Sequence, residues 1–315
     1  MKSGVHVIPV STMLNKNKRV GYWGSLLIIL VVLGCFFAIF FIERMQYLLQ
    51  SLHPVRSHVT ALDGTVARTA MGELSDVVLT TSDGLKLRAW YHPSVTGAVV
   101  VFVHGGGNNR MEFLPIASEL GRRGIGSLLY DSRANGESDG VLQSWGDKEQ
   151  ADLTAALDFV SARPDVNPMR IGVQGFSIGA STAVMVAAHD RRVHALVLNA
   201  VWTSLDDELA YKVSRPQWLD APLLKLFFTY SGVNLAHVRP MDVISSIAPR
   251  AVMMQVGDQD QDTPLAISRA LFALAREPKQ FATVQGAGHG DYVRRGGHAY
   301  VVSIADFFAA TLRGS

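Results

Sequence analysis

Short β-branched runs alternate with helical stretches of ten or more residues from about residue 77 to residue 312, and this alternation confines the chain to a narrow class of folds. Residues 77–81 and 85–92 flank Ser82-Asp83-Gly84, a hairpin signal. Residues 98–103 (AVVVFV) are a continuous apolar run, as expected of a strand buried on both faces. A helix over 112–123, a strand over 126–130 and a helix over 147–163 follow. A strand over 170–174, a helix over 178–189 and a strand over 195–198 continue the series. Strand, helix, strand and helix then fall at 251–256, 264–276, 281–284 and 298–312. Strands joined by long helical crossovers predict an α/β fold with a mostly parallel, doubly wound sheet and helices on both faces. Residues 202–238 interrupt the alternation.

A second feature lies before this region. Residues 20–42 (VGYWGSLLIILVVLGCFFAIFFI) carry no charge, and 23 residues of helix at about 1.5 Å each exceed a hydrocarbon core of roughly 30 Å. A cleaved signal peptide has a shorter apolar core and a small-x-small site, which FFAIFFIER lacks. The expectation is a transmembrane helix over 20–42 that holds the protein to a lipid bilayer. A tail over 1–19 precedes it, and a juxtamembrane connector over 43–70 leads to a domain over 71–315. Lys2, Lys16, Lys18 and Arg19 precede the span, whereas only Arg44 and Arg56 lie in the connector's first part. That bias predicts a cytoplasmic N-terminus and a periplasmic or otherwise extracytoplasmic domain.

Composition excludes several classes. With 48% hydrophobic and 18% charged residues the chain can bury a large core and is not a disordered one. The net charge of +2 gives no argument for a nucleic-acid partner. One cysteine, Cys35, excludes an intrachain disulfide and a cysteine-based zinc site, and no His-Glu-x-x-His or similar metal spacing occurs. Neither a metal nor an organic cofactor is expected.

Gly175-Phe176-Ser177-Ile178-Gly179 fits G-x-S-x-G between a strand and a helix. A serine on that sharp turn stands clear of the sheet edge, and small residues at 175, 179 and 180 let strand and helix approach. A serine hydroxyl needs a base, and the base needs an orienting carboxylate. The carboxylates lie in Val256-Gly257-Asp258-Gln259-Asp260-Gln261-Asp262-Thr263-Pro264. A calcium loop is disfavoured there, since Thr263 and Arg269 stand where Gly and Glu are required. His289, in a glycine-rich loop after the last strand, is the candidate base, with His298 as its rival. His104-Gly105-Gly106-Gly107, after the buried strand, exposes amides suited to an oxyanion. A phosphate loop there is disfavoured, as no Lys-Ser/Thr follows.

Together these motifs (TSDGLKLRAWYHP, VFVHGGGNNR, YDSRANGESDG, IGVQGFSIGAS, VMMQVGDQDQDTP and VQGAGHGDY) resemble the α/β-hydrolase superfamily over about residues 76–312, and within it the membrane-anchored Bem46-like and serine-aminopeptidase-like hydrolases. The resemblance implies Ser177 as nucleophile, His289 as general base and Asp260, four residues before Pro264, as the acid. It implies the amides of Ile178 and Gly106 as oxyanion donors, with Gly107 as the alternative to Gly106. The sequence departs from the family in Ala134-Asn135, where a glycine and an aromatic residue are usual. Residues 202–238 are expected as a small helical cap, broken by Pro216 and Pro222. Its apolar residues, Trp202, Trp218 and Phe228 among them, would wall the site. The resulting expectation is a membrane-anchored serine hydrolase acting on a small to medium acyl ester or thioester through an acyl-enzyme. A serine peptidase of aminopeptidase type and a catalytically silent binding module are the alternatives.

Overall fold

The strands β1 (Ser75–Thr80), β2 (Lys86–His92), β3 (Val99–Val103), β4 (Gly126–Tyr130), β5 (Ile171–Phe176), β6 (Val193–Asn199), β7 (Ala251–Gly257) and β8 (Lys279–Val284) form one sheet in the order β1-β2-β4-β3-β5-β6-β7-β8. The computed structural model describes the backbone of residues 10–212 and 217–313, but not the side chains of 10–22, 44, 47, 48, 217–221 and 223. β1 and β2 form the expected hairpin, and β2 also runs antiparallel to β4. Every other neighbouring pair is parallel. β3, β4 and β5 are buried at every position; β3 therefore reads as an unbroken apolar run, while β4 and β5 each bury one polar side chain, Ser127 and Gln174.

Helices cover both faces. α4 (Glu149–Ser161), α5 (Ile178–His189) and α9 (Leu265–Leu274) pack on one face, where Leu153, Leu157, Ala183 and Leu271 meet Val101, Val173 and Leu196. α3 (Leu114–Arg122) and α10 (Tyr292–Thr311) cover the other, where Ile116, Leu120, Ile304 and Phe308 meet Val100, Phe102 and Val197. α10 is kinked by non-helical backbone at Gly297: its second part starts at His298, where the sequence places the last helix, and a helical stretch from Tyr292 precedes the kink. Between β6 and β7 lie α6 (Leu205–Lys212), α7 (Gln217–Tyr230) and the short α8 (Pro240–Val243), at the place expected for a cap. Pro216 lies outside the described residues, as do the side chains of Trp218, Leu219 and Leu223; Pro222 sits inside α7 rather than breaking it.

The chain divides into two units, Met1–Gln50 and Ser51–Ser315. α1 (Val10–Leu52) holds the apolar run in one continuous helix, and the stretch Trp23–Glu43 is long and apolar enough to cross a membrane. The stretch 43–70, expected as a connector, carries regular structure. It contains the end of α1 and α2 (Ala61–Met71), which buries Ala67 and Met71 in the same core cluster as α3. A capping box starts α2: Thr60 Oγ1 accepts from Asp63 N, and the Asp63 carboxylate accepts from Thr60 N. Its acid is Asp rather than the commoner Glu or Gln, so the usual sequence signature is weak.

Candidate active site

β5 delivers the chain to Ser177 and α5 carries it away, so the turn must close within one residue. Ser177 takes φ 53° and ψ −118°. A non-glycine residue in this region is held there by its surroundings, at a cost of about 1–3 kcal/mol. Two close approaches enforce it. A Cβ on Gly175 would lie 2.4 Å from Gly179 O, and one on Gly179 would lie 2.1 Å from Val103 O. Only glycine at both positions lets α5 start against β3 and β5. The Ser177 amide donates to Asn199 O at 2.9 Å, which ties the turn to β6.

The loops after β7 and β8 bring two further residues to this turn. Ser177 Oγ lies 3.2 Å from His289 Nε2, and His289 Nδ1 lies 2.9 Å from Asp260 Oδ2 and 3.1 Å from its Oδ1. Nδ1 therefore carries the proton and donates to the carboxylate, which leaves Nε2 as the acceptor facing the serine. Phe176 packs against the imidazole in a tilted contact, with ring centroids 4.9 Å apart and an interplanar angle of 49°. Asp260 is buried and accepts three more hydrogen bonds, from Asp262 N (3.0 Å), Thr263 N (2.8 Å) and Tyr292 Oη (2.7 Å). Burial alone would raise its pKa. The hydrogen bond and positive charge of His289, with the Thr263 amide and the Tyr292 hydroxyl, outweigh burial and hold the carboxyl below its ordinary value. Tyr292 is pushed the other way, by burial and by the Asp260 charge.

The neighbouring acids have other partners. Asp258 accepts from Gly286 N at 2.7 Å and so pins the turn after β8. Asp262 is exposed and pairs with Lys212 at 3.2 Å. His298 is exposed on α10 and is not brought to Ser177.

The loop after β3 completes the arrangement. His104 is buried; its Nε2 accepts from Ser132 N (2.9 Å) and its Nδ1 donates to Gly105 O (2.7 Å), so both nitrogens hold backbone. Burial keeps the ring neutral by lowering its pKa. The Gly105 amide donates to Glu112, whose carboxyl burial pushes up to about 7 against that hydrogen bond. Gly107, at φ 72°, donates its amide to Asn135 Oδ1 (3.0 Å) and Gln143 Oε1 (3.1 Å). The amides of Gly106 and Ile178 have no acceptor among the described residues. Of the two glycine amides suggested by the sequence, Gly107's is thus already engaged. Tyr292, Asn135 and Gln143 escaped sequence reasoning, although the Ala134-Asn135 departure marked the right loop.

The sequence matches the X-Pro dipeptidyl-peptidase (S15) family over residues 66–224, half of the chain. The chain belongs to this family. The protein Rv2307c of Mycobacterium tuberculosis (strain ATCC 25618 / H37Rv) is 35% identical over 240 residues, spanning 75% of this chain and 79% of that one. Among solved structures, the Pyrococcus furiosus esterase Pf2001 superposes with a TM-score of 0.68 at 23% identity, over 83% of this chain and 98% of that one. The alpha/beta hydrolase GrgF from Penicillium sp. sh18 gives 0.61 at 23% identity, over 76% and 99%. The fold is the α/β-hydrolase fold, and the family is one of hydrolases. The S15 match holds the turn at Ser177 and the loop at Gly106, while Asp260 and His289 lie beyond it.

Proposed function

We propose that this S15-family chain is a serine hydrolase that cleaves a small to medium acyl ester or thioester through an acyl-enzyme. One observation carries the reading: the hydrogen-bonded series from Ser177 Oγ through His289 to Asp260, beside two amides that have no acceptor among the described residues. In the first half-reaction His289 Nε2 takes the Ser177 proton as Oγ attacks the acyl carbonyl. The amides of Gly106 and Ile178 stabilise the oxyanion, helped by the positive end of α5. Collapse expels the alcohol or thiol, which leaves with the proton from His289. Water, deprotonated by His289, then attacks the acyl-serine; collapse releases the acid and returns the proton to Ser177. Asp260 keeps the imidazole in the tautomer with Nε2 free and stabilises its charged form.

A peptidase reading draws on the family match. Recognition of a free peptide amine needs a carboxylate near the reacting carbonyl. Two glutamates, Glu112 and Glu208, lie within the field of His289. Glu112 accepts the Gly105 amide, and Glu208 on α6 lies 3.3 Å from Lys212 Nζ. Glu112 is thereby occupied, while burial pushes the Glu208 carboxyl up to about 7 and so disfavours the anionic form that would hold a peptide amine, which favours an uncharged acyl group over an aminoacyl one. The apolar helix supports attachment to a bilayer, and the basic residues before it support a cytoplasmic N-terminus with the hydrolase unit on the other side.

A fluorophosphonate probe tests the mechanism. Labelling of the wild-type chain and none in Ser177→Ala, with kcat lowered by about 10³-fold or more, is expected. A chain that binds no probe, or a Ser177→Ala variant with wild-type turnover, points instead to the silent binding module. Comparison of acyl esters, thioesters, aminoacyl amides and X-Pro dipeptidyl amides decides the substrate class. Preference for the dipeptidyl amides overturns the ester reading.

A further inference from the structure

The oxyanion loop is gripped by a side chain that is itself held by residues 51–57, the segment following the apolar helix in sequence. Ser51 and Leu52 are the last residues of α1, and carbonyls at a helix C-terminus have no partner within the helix. Here they are satisfied by the loop 143–145. Leu52 O accepts from Gln143 N at 2.8 Å, and Ser51 O accepts from Gln143 Nε2 at 3.3 Å and from Trp145 Nε1 at 2.9 Å. The Leu52 side chain is fully buried. Further along, Arg56 donates to Ser138 O at 2.6 Å and to Gly140 O, and Asn109 Nδ2 donates to Ser57 O at 2.8 Å.

These contacts determine which way Gln143 points. Its nitrogen end is committed to Ser51 O, so its oxygen end faces the Gly107 amide. Asn135 is fixed by the same logic, its Nδ2 donating to Arg133 O at 2.8 Å and its Oδ1 facing Gly107 N. Both carboxamides are buried. Gln143 also packs on the preceding residue: a Cβ on Gly106 would lie 2.9 Å from its Nε2. The 106–107 peptide plane is thereby clamped from one side; the Gly106 N–H belongs to the neighbouring 105–106 peptide, whose carbonyl accepts from His104 Nδ1 at 2.7 Å, and the clamp reaches that amide by limiting the Gly106 φ and ψ that join the two planes.

We propose that Gln143, oriented by the segment 51–57 and assisted by Asn135, is a positioning residue that aims the Gly106 amide at the developing oxyanion. The proposal rests on the serine-hydrolase reading. It makes the stretch that follows the apolar helix a working part of the catalytic unit rather than a tether.

The test is carried out on the full chain in detergent with one acyl ester. It measures kcat, KM and the inhibition constant of a trifluoromethyl ketone, whose hemiketal oxyanion mimics the tetrahedral intermediate. Gln143→Met keeps the side-chain length and removes the acceptor. It should lower kcat about 10–30-fold, leave KM within about 3-fold, and weaken the ketone by the same factor as kcat, since a misaimed donor is felt only where charge develops. Asn135→Ser removes the second acceptor of the same amide and should give a smaller loss of the same kind; it serves as the reporter if Gln143→Met does not fold. Arg56→Gln loosens the segment without touching the loop and should lower kcat about 3-fold, with the ketone weakened in parallel. A folded Gln143→Met or Asn135→Ser chain with wild-type kcat and ketone affinity overturns the proposal, as does a rise in KM at constant kcat. Wild-type kcat in Arg56→Gln removes the segment's part in it. Retained turnover in Ser177→Ala strikes the serine reading instead, so the two failures are separable.

Discussion

Asp260 collects five polar contacts in a buried position, and that concentration sets it apart from the two aspartates beside it. Only one carboxylate can orient the His289 ring. Asp260→Asn should therefore lower kcat by roughly 10²–10⁴-fold, while Asp258→Asn and Asp262→Asn stay within about 5-fold of wild type. A larger loss at Asp258 or Asp262 reassigns the acid. The same residue shapes stability against pH. Its folded pKa lies below the unfolded value of about 3.9, so its contribution is fully present above that value and is lost as pH falls through the folded one. Unfolding midpoints measured from pH 6 down to pH 2 should fall more steeply for wild type than for Asp260→Asn at the acid end; parallel curves contradict the assignment. Ser177 and His289 were legible in the sequence because both sit in glycine-framed turns whose spacing around strands is local. Tyr292 was not, since nothing in His289-Gly290-Asp291-Tyr292 says that the first turn of α10 aims its hydroxyl back at the end of β7.

Strands buried on both faces leave no room for error where a helix meets the sheet, and the turn between β5 and α5 is a tight junction of this kind. Its glycines are demanded by backbone atoms, which cannot rotate away as side chains can. Gly179→Ala should destabilise the protein by roughly 3 kcal/mol, because its Cβ falls 2.1 Å from Val103 O. Gly288→Ala, in the loop that carries His289, meets nothing nearer than Gln259 O at 3.7 Å and should change stability by less than about 0.5 kcal/mol. Urea unfolding of the two variants measures the contrast, and equal midpoints would sink the argument. At this scale the β/α alternation carried nearly the whole sheet, since period and β-branching report burial directly. The helix over 61–71 stayed hidden for a physical reason: Gly64, Thr65 and Thr69 lower its intrinsic propensity. It exists because Thr60 and Asp63 cap it and because Ala67 and Met71 find a face of α3 to cover. The cap shows the converse case. Phe228 was legible as apolar, but its full burial and its edge-on contact with Trp145, at 5.9 Å between ring centroids, come from a residue 83 positions away.

The two units of the chain have different solvents to satisfy. Residues 51–315 bury two apolar clusters on either side of one sheet, as a domain in water does. The helix stretch Trp23–Glu43 buries none of its apolar window within the chain, and its 21 residues span about 32 Å at 1.5 Å per residue. Leaving so many Leu, Ile, Val and Phe side chains in water costs about 1.5–3 kcal/mol each relative to full burial, so a hydrocarbon environment is favoured by tens of kcal/mol. The expected behaviour is retention of the full chain in the membrane fraction after alkaline carbonate extraction, with its N-terminus uncut by intact mass. A processed N-terminus beyond residue 43 identifies a signal sequence instead. Orientation is the second half of the prediction. Lys2, Lys16, Lys18 and Arg19 stand before the stretch against Arg44 and Arg56 after it. A phosphatase that folds only outside the cytoplasm, fused after Ser315, should be active. Replacing Lys16, Lys18 and Arg19 by glutamine leaves one basic residue on that side against two on the other, and should cut the phosphatase signal while the fraction in the membrane stays the same. An inactive fusion in the parent chain places the hydrolase unit in the cytoplasm. A signal indifferent to the three replacements means that something other than flanking charge orients the helix.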